Sequence, residues 1–164
     1  MKIVITTDHA GFEASGQLKA FLQSLGHEVV DFGPTAFDAG DDYPDFMFPA
    51  AEAVASGECE RGIILGGSGQ GEAIAANRVK GVRCAVFYSP AIAKSAIDAE
   101  GNQSQDPYEI VKLSRQHGDS NVLSLSARFL SLDEMKQAIE IWLAEPFSGA
   151  ERHVRRIQKL DERS

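Results

Sequence analysis

Short apolar runs alternate with amphipathic segments along the whole chain, and this alternation limits the folds it can adopt. Segment 12–25 places Leu18, Phe21, Leu22 and Leu25 on one helical face, and Gly26 follows as a helix end. Strands are expected at residues 3–5, 29–32, 62–65, 82–88 and 122–125. Helices are expected at 12–25, 46–56, 72–77, from about Pro90, at 108–116 and behind the capping box Ser131–Glu134. Such alternation predicts an α/β domain with a mostly parallel, doubly wound five-stranded sheet and helices on both faces.

Length and charge exclude several classes of protein. The 164 residues fit one domain, and no linker divides 1–164. A net charge of -8 opposes non-specific nucleic-acid binding, which depends on neutralising phosphates. No apolar run approaches the roughly 20 residues of a membrane span, and residues 1–5 lack a signal-peptide layout. Cys59 and Cys84 form neither a disulfide framework nor a zinc motif, so a reducing cytoplasm is the expected compartment.

Residues 66–71, here called the glycine turn, join the third predicted strand to a helix. Gly66, Gly67, Gly69 and Gly71 let the backbone approach a ligand closely, and a helix N-terminus favours an anion. The turn lacks the Lys-Ser/Thr of a Walker phosphate loop and the spacing of the dinucleotide fingerprint. A tight structural turn is the alternative, but the number of glycines and the Ser68 hydroxyl favour an anion cradle.

Glu72 stands directly after the glycine turn. A carboxylate in the first turn of a helix can simply complement the helix dipole. This one also follows the carboxyl end of a strand, where open α/β sheets bind ligands. A carboxylate beside a cradle for a negative oxygen suits proton abstraction next to a carbonyl, because the N–H groups stabilise the enolate.

Two histidines lie in loops that flank predicted strands. Asp8 and His9 follow the first strand, where they either cap a helix or bind sugar hydroxyls or phosphate. His117 precedes the fifth strand, and a lone histidine in such a place is usually structural. Farther on, Arg152, Arg155, Arg156 and Lys159 recur at helical spacing in an otherwise acidic chain. Such a run is either a solvated tail or a phosphate site, since Arg matches phosphate bidentately.

Taken in order, these motifs resemble the ribose-5-phosphate isomerase B family, which also includes galactose-6-phosphate isomerase subunits. The resemblance covers nearly the whole chain. It rests on Asp8 to Phe12, Asp42 to Asp45, Gly67 to Glu72 with Ala75 to Asn77, Gly81 to Arg83, His117 to Leu123, Ala127-Arg128, Arg152-His153 and Arg155-Arg156.

The resemblance implies a Rossmann-like fold and a homodimer, often paired into tetramers, with each site at the subunit interface. It implies an aldose–ketose isomerisation of a sugar phosphate through a cis-enediol, without metal or other cofactor. Glu72 would be the base, His117 the ring-opening acid/base, and Ser68 a further catalytic residue. The implied substrate-binding residues are Asp8, His9, Tyr43, Gly67, Ser68, Gly69, Gln70, Gly71, Gly118, Arg128, Arg152, His153 and Arg156. A basic tail from about residue 150 to 164 would contribute to the site.

Three departures from the family pattern bear on the reaction and its substrate. Many members carry a Cys base at the position of Gly66, so this chain resembles the subgroup that uses glutamate. Gly118 replaces the usual Asn after the ring-opening histidine, which removes one hydrogen bond to substrate. Residues 98–109 are inserted and lie between the fourth strand and His117. Ribose 5-phosphate is the simplest expected substrate; a six-carbon sugar phosphate of the galactose or allose type, or non-catalytic sugar-phosphate binding, are the alternatives.

Overall fold

The computed structural model describes residues 1–163, which form one five-stranded sheet covered by helices. In chain order the elements are β1 (Lys2–Thr7), a 3-10 turn (His9–Gly11), α1 (Phe12–Ser24), β2 (Glu28–Asp31), α2 (Pro44–Ala55), β3 (Arg61–Gly66), α3 (Gln70–Ala76), β4 (Cys84–Phe87), α4 (Glu109–Gln116), β5 (Val122–Ser126), α5 (Leu132–Ala144) and α6 (Glu151–Asp161). Every recorded strand pair is parallel, in the order β2-β1-β3-β5-β4. This confirms the predicted α/β fold.

Helices cover both faces because the central strands β1 and β3 bury apolar side chains on both of their faces. Ile3 and Ile5 point to one face, where α1, α4 and α5 pack, and Val4 points to the other, where α2 and α3 pack. Successive side chains on a strand face opposite ways, so a sheet buried on both sides needs continuous apolar strands. Trp142 of α5 is fully buried, and its indole N–H donates to Ser120 Oγ (2.8 Å).

The helix predicted from about Pro90 is absent, and that prediction is wrong. The segment from Tyr88 to the start of α4 is irregular and is tied into turns by its own polar groups. The Ala91 N–H donates to the carbonyl oxygen of Pro107 (2.8 Å), and the Asp98 carboxylate accepts N–H groups of Glu100 and Asn102 (3.1 and 3.0 Å). Aspartate competes in this way for the backbone bonds that a helix requires.

The capping box is formed as the sequence predicts. The Ser131 hydroxyl accepts the Glu134 N–H (3.3 Å), and the Glu134 carboxylate accepts the Ser131 N–H (2.8 Å).

Near the C-terminus, the basic residues Arg152, Arg155, Arg156 and Lys159 lie on α6. No helix of the described residues is both long and apolar enough to cross a membrane.

Candidate functional site

The carboxyl edge of the sheet brings Asp8 and the glycine turn together. Asp8 follows β1 and the glycine turn follows β3, and these two strands are neighbours. From β1 the chain adds β2 on one side and then crosses to β3 on the other. In doubly wound sheets, ligands bind in the crevice that opens where the winding direction changes in this way.

Hydrogen bonds from β5 and the loop after it fix the glycine turn. Ser126 Oγ donates to the carbonyl oxygen of Gly67 (3.0 Å), and Ser124 Oγ donates to that of Gly69 (2.7 Å). The Ala127 N–H also donates to the carbonyl oxygen of Gly66 (2.8 Å). Because the C=O and N–H of one trans peptide point opposite ways, the N–H groups of Gly67 and Ser68 point away from β5. The turn therefore presents backbone donors to the crevice.

Two glycines of the turn are required by its shape. Gly69 has φ +76°, a left-handed conformation, and a Cβ there would lie 3.0 Å from Ser124 Oγ. At Gly66 a Cβ would overlap the Glu72 carboxyl, which folds back over this residue. A Cys at position 66 and a Glu at 72 in this orientation therefore exclude each other sterically. The packing explains why glycine at 66 accompanies glutamate at 72 in this chain.

Glu72 is 5% exposed, and its Oε2 has no hydrogen-bond partner within residues 1–163. Burial raises the pKa of Glu72 most, and the nearby Asp8 charge raises it further. Its own backbone N–H lowers the pKa by more than Asp8 raises it, and the Arg128 charge and the Gly69 N–H lower it by less. A buried carboxylate with a raised pKa and a free oxygen is well suited to take a proton from carbon.

A cation and two hydroxyl groups lie beside the glycine turn. The Arg128 guanidinium is close to Gly67, where a Cβ would lie 3.2 Å from Arg128 Cζ. The Tyr43 hydroxyl is close to Gly71, because a Cβ placed at Gly71 would lie 3.2 Å from the Tyr43 hydroxyl oxygen. Ser68 Oγ accepts the Gln70 N–H (3.3 Å) and is partly exposed. We call Asp8, His9, Tyr43, the glycine turn, Glu72 and Arg128 together the first half-site.

His9 lies at the edge of the first half-site and binds a residue that the motifs did not predict. Its Nδ1 lies 2.6 Å from Asp41 Oδ1, and this hydrogen bond is the largest cause of a raised His9 pKa. Asp8, His9 and Asp41 offer oxygen or nitrogen atoms within 4.8 Å of one another, the one group of described residues that could hold a metal ion. An Asp-rich loop was the only sequence signal for Asp41, which lies 32 residues from His9.

His117 and His153 form a second cluster, at the other end of the sheet. Their ring centroids are 4.3 Å apart, and His153 is buried with its Nδ1 2.9 Å from Ser148 Oγ. Burial lowers the pKa of His153 most, and His117, Arg152 and Arg156 lower it further. A neutral His153 ring therefore packs against His117.

Two arginines hold the loop that carries His117. The buried Arg115 donates from Nη1 to Asp119 Oδ1 (2.7 Å) and to the carbonyl oxygen of Ser120 (2.6 Å). Arg83 donates from Nη2 to Asp119 Oδ2 (2.9 Å) and from Nε to the carbonyl oxygen of Gly118 (3.1 Å). Asp119 adopts φ +44°, and the two arginines hold its carboxylate in place. The position of Gly118, which lines a cavity of about 560 Å³, is thus fixed.

The predicted phosphate arginines lie on α6, beside His117. Arg152 donates from Nη1 to Glu100 Oε1 (3.2 Å), so the segment 98–109, which the sequence comparison interprets as inserted, contacts the basic helix. Arg156 is exposed. We call His117, Gly118, Arg152, His153 and Arg156 the second half-site.

One chain does not bring the two half-sites together. The first lies where β1, β3 and β5 end, and His117 lies before β5 begins. Strands rise about 3.3 Å per residue, so the length of β5 alone separates them by on the order of 15 Å. The family resemblance implies that all these residues belong to one site, whereas within a single chain they form two separate groups.

Comparison with known proteins identifies the family. A family model described as Ribose/Galactose Isomerase matches residues 3–104 and 103–160. The chain belongs to this family. Ribose-5-phosphate isomerase B of Mycolicibacterium paratuberculosis is 36% identical over 99% of this chain and 91% of its own length. The corresponding protein of Escherichia coli is 34% identical over 97% of this chain and 93% of its own length.

Solved structures of the family have the same fold. Ribose-5-phosphate isomerase B of Clostridium thermocellum superposes with a TM-score of 0.84 at 38% identity, covering 99% of this chain and 96% of that one. The Mycoplasma genitalium enzyme with bound ribulose-5-phosphate gives 0.84 at 36% identity, covering 99% and 95%. The family match divides at residues 103 and 104, inside the segment interpreted as inserted.

Proposed function

We propose that this protein is an aldose–ketose isomerase that interconverts D-ribose 5-phosphate and D-ribulose 5-phosphate. The observation that carries the proposal is the buried Glu72, whose free Oε2 lies at a fixed turn of outward N–H groups. Relatives along the full length are named ribose-5-phosphate isomerase B, and one solved relative holds ribulose-5-phosphate. A sugar-phosphate substrate accounts for both the base and the basic residues.

In the proposed reaction Glu72 takes the proton from C2 of the open-chain aldose. The electron pair of that bond forms the C1–C2 double bond, and the carbonyl oxygen becomes the enediolate oxygen. N–H groups of the glycine turn stabilise this negative oxygen, with Ser68 beside them. The proton of the C2 hydroxyl then passes to the enediolate oxygen on C1, and protonated Glu72 returns its proton to C1 as the C2 oxygen becomes the ketone. The raised pKa of Glu72 suits both steps, because the same group must accept and release the proton near neutral pH.

The second half-site contributes ring opening and phosphate binding in this proposal. His117 moves the proton between the ring oxygen and the anomeric hydroxyl, since furanose must open before its C2 proton becomes acidic. Arg152 and Arg156 hold the phosphate, with Arg128 and His9 from the other half-site. Without these cations the Asp8 and Glu72 carboxylates would repel a dianionic substrate.

A homodimer supplies both half-sites to one active centre. Opposite edges of the sheet carry them, so a second copy has to bring its His117 and α6 to the glycine turn. The strand β4 ends the sheet with an unpaired outer edge, a feature that monomeric proteins usually cover. Large apolar side chains stand exposed around this edge: Ile74, Tyr88, Ile92, Ile110 and Phe129. A second chain packed over these side chains would remove them from water, and this favours a dimer.

The proposed compartment is the cytoplasm, where sugar phosphates are metabolised. Two free cysteines, Cys59 and Cys84, fit a reducing environment. Burial raises the pKa of the Cys84 thiol, so it stays protonated and inert beside Glu72.

Turnover of ribose 5-phosphate by the purified protein tests this proposal. We expect ribulose 5-phosphate to form at a rate that extensive dialysis against a chelator leaves unchanged, because Glu72 and the N–H groups perform the chemistry. Galactose 6-phosphate and allose 6-phosphate serve as matched six-carbon substrates. Thermal stabilisation by ribose 5-phosphate without turnover would instead indicate a binding module. A rate lost on dialysis and restored by one divalent ion would contradict the metal-free mechanism.

A further inference from the structure

Asp41 contacts the first half-site although no motif includes it. Its side chain is 7% exposed and lies in the loop between β2 and α2. Oδ1 binds His9 Nδ1 at 2.6 Å, and Oδ2 is buried without a partner within the described part of the chain. Burying a carboxylate costs desolvation free energy. A buried carboxylate hydrogen-bonded to one imidazole nitrogen therefore fixes the orientation of that ring.

The hydrogen bond to Asp41 decides which nitrogen of His9 is free to bind a ligand. Nδ1 is engaged by Asp41, so Nε2 is left for a ligand. The His9 side chain is 27% exposed and lines a cavity of about 490 Å³ with Phe12, Glu13 and Ala127. Its ring is nearly perpendicular to that of Phe37, with centroids 6.5 Å apart. These contacts hold the ring, and Nε2, which makes no hydrogen bond within the described residues, remains available to donate to an anionic group.

We propose that Asp41 is a positioning residue, which holds His9 as an imidazolium with Nε2–H directed at the anionic oxygens of the substrate. The inference rests on the proposed function and adds a residue that sets the pH range of substrate binding. Second-sphere carboxylates orient imidazoles in this way when a particular nitrogen has to remain a donor.

The charges around His9 support this arrangement. Asp41 and Asp8 raise its pKa, whereas partial burial and the Arg128 charge lower it; Glu13 lies across the same cavity. Of the effects on the His9 pKa, the Asp41 hydrogen bond is the largest, and Glu13 is not among them. A raised pKa keeps His9 cationic at pH values where an ordinary histidine, with a pKa of about 6.5, has lost its proton. Removing the Asp41 charge therefore makes His9 neutral at lower pH.

The test uses Asp41→Asn with two companions, Asp41→Glu and Asp42→Asn. Asp42 makes no side-chain hydrogen bond or ion pair among residues 1–163, so its variant removes the same charge one position away. First, ring carbon and nitrogen chemical shifts of His9 are followed by NMR against pH in the absence of substrate. We expect the His9 pKa to fall in Asp41→Asn and to stay near the wild-type value in Asp42→Asn.

Second, KM and kcat for ribose 5-phosphate are measured against pH for the same proteins. Above pH 7 we expect the KM of Asp41→Asn to rise about 10-fold, as for one lost charge-assisted hydrogen bond, with kcat changing much less. Near pH 5 the KM ratio of variant to wild type should approach one, because His9 then protonates unaided. The substrate phosphate titrates equally in both proteins and cancels in this ratio. Asp41→Glu should restore part of the affinity.

A His9 pKa that is unchanged in Asp41→Asn, or a KM ratio independent of pH, would overturn the inference. If Asp41→Asn does not fold, the NMR titration and the KM profile of Asp41→Glu test the inference instead. The expected result is a His9 pKa that differs from the wild-type value. Wild-type protein that fails to turn over ribose 5-phosphate would refute the proposed function, whereas the His9 titration in free protein tests Asp41 independently.

Discussion

Glu72→Gln is expected to reduce turnover of ribose 5-phosphate by about 10²–10⁴-fold or more, the range for a lost general base. The amide keeps the shape that fits over Gly66 but cannot take the C2 proton. KM should change much less, because Glu72 contributes no cation to phosphate binding. The measurement is initial rate against substrate concentration for the wild type and the variant.

The fold of Glu72→Gln should be preserved. Because burial raises the pKa of Glu72, the folded state favours its neutral form. This contribution to stability is lost as pH rises from the unfolded-state pKa through the raised folded-state pKa. A permanently neutral Gln retains it, so the melting temperature at pH 7.5 should equal or exceed that of the wild type. A variant that keeps near-wild-type turnover would exclude Glu72 as the base.

Mixing two inactive variants should restore about a quarter of wild-type activity if the active centre is shared between chains. Glu72→Gln damages the first half-site, and the double variant Arg152→Ala/Arg156→Ala damages the second. After statistical subunit exchange about half the dimers are hybrids, and each hybrid has one centre with both lesions and one with neither. The activity of the mixture is measured after exchange, with mass labelling to confirm that hybrids formed.

A matched control places both lesions in the same half-site. Mixing Glu72→Gln with Arg128→Ala gives hybrids in which each centre carries one lesion, so no activity beyond that of the separate variants should return. Recovery in the first mixture alone supports a shared centre. Confirmed exchange without recovery in the first mixture would show that α6 serves its own chain.

The central part of the fold could be predicted from the sequence because its signals are local. The helical spacing of apolar residues in 12–25 predicts α1, and the glycines of residues 66–71 predict a turn between β3 and α3. The helix expected from about Pro90 does not form, although an alanine-rich run favours helix. In the structure the Ala91 N–H donates to the Pro107 carbonyl and the Ile97 N–H to the Asn102 carbonyl, which are not helical hydrogen bonds.

Contacts between residues far apart in sequence could not be predicted. His9 and Asp41 are 32 residues apart, and only the folded loop shows that a carboxylate meets the imidazole. The separation of the half-sites follows from topology: His117 precedes β5, whereas the glycine turn follows β3. The motifs supply the groups, and the direction of the strands decides which of them one chain can bring together.

Isomerisation in D₂O tests the account most directly. Ribose 5-phosphate is incubated with the protein and followed by proton NMR. A proton held on Glu72 exchanges with solvent, so we predict deuterium at C1 of ribulose 5-phosphate and, as equilibrium is approached, at C2 of ribose 5-phosphate. Glu72→Gln should slow product formation and label incorporation together, by the same factor. Complete absence of deuterium from both ribulose 5-phosphate and recovered ribose 5-phosphate, even after many turnovers at equilibrium, would contradict proton transfer through an exchangeable Glu72.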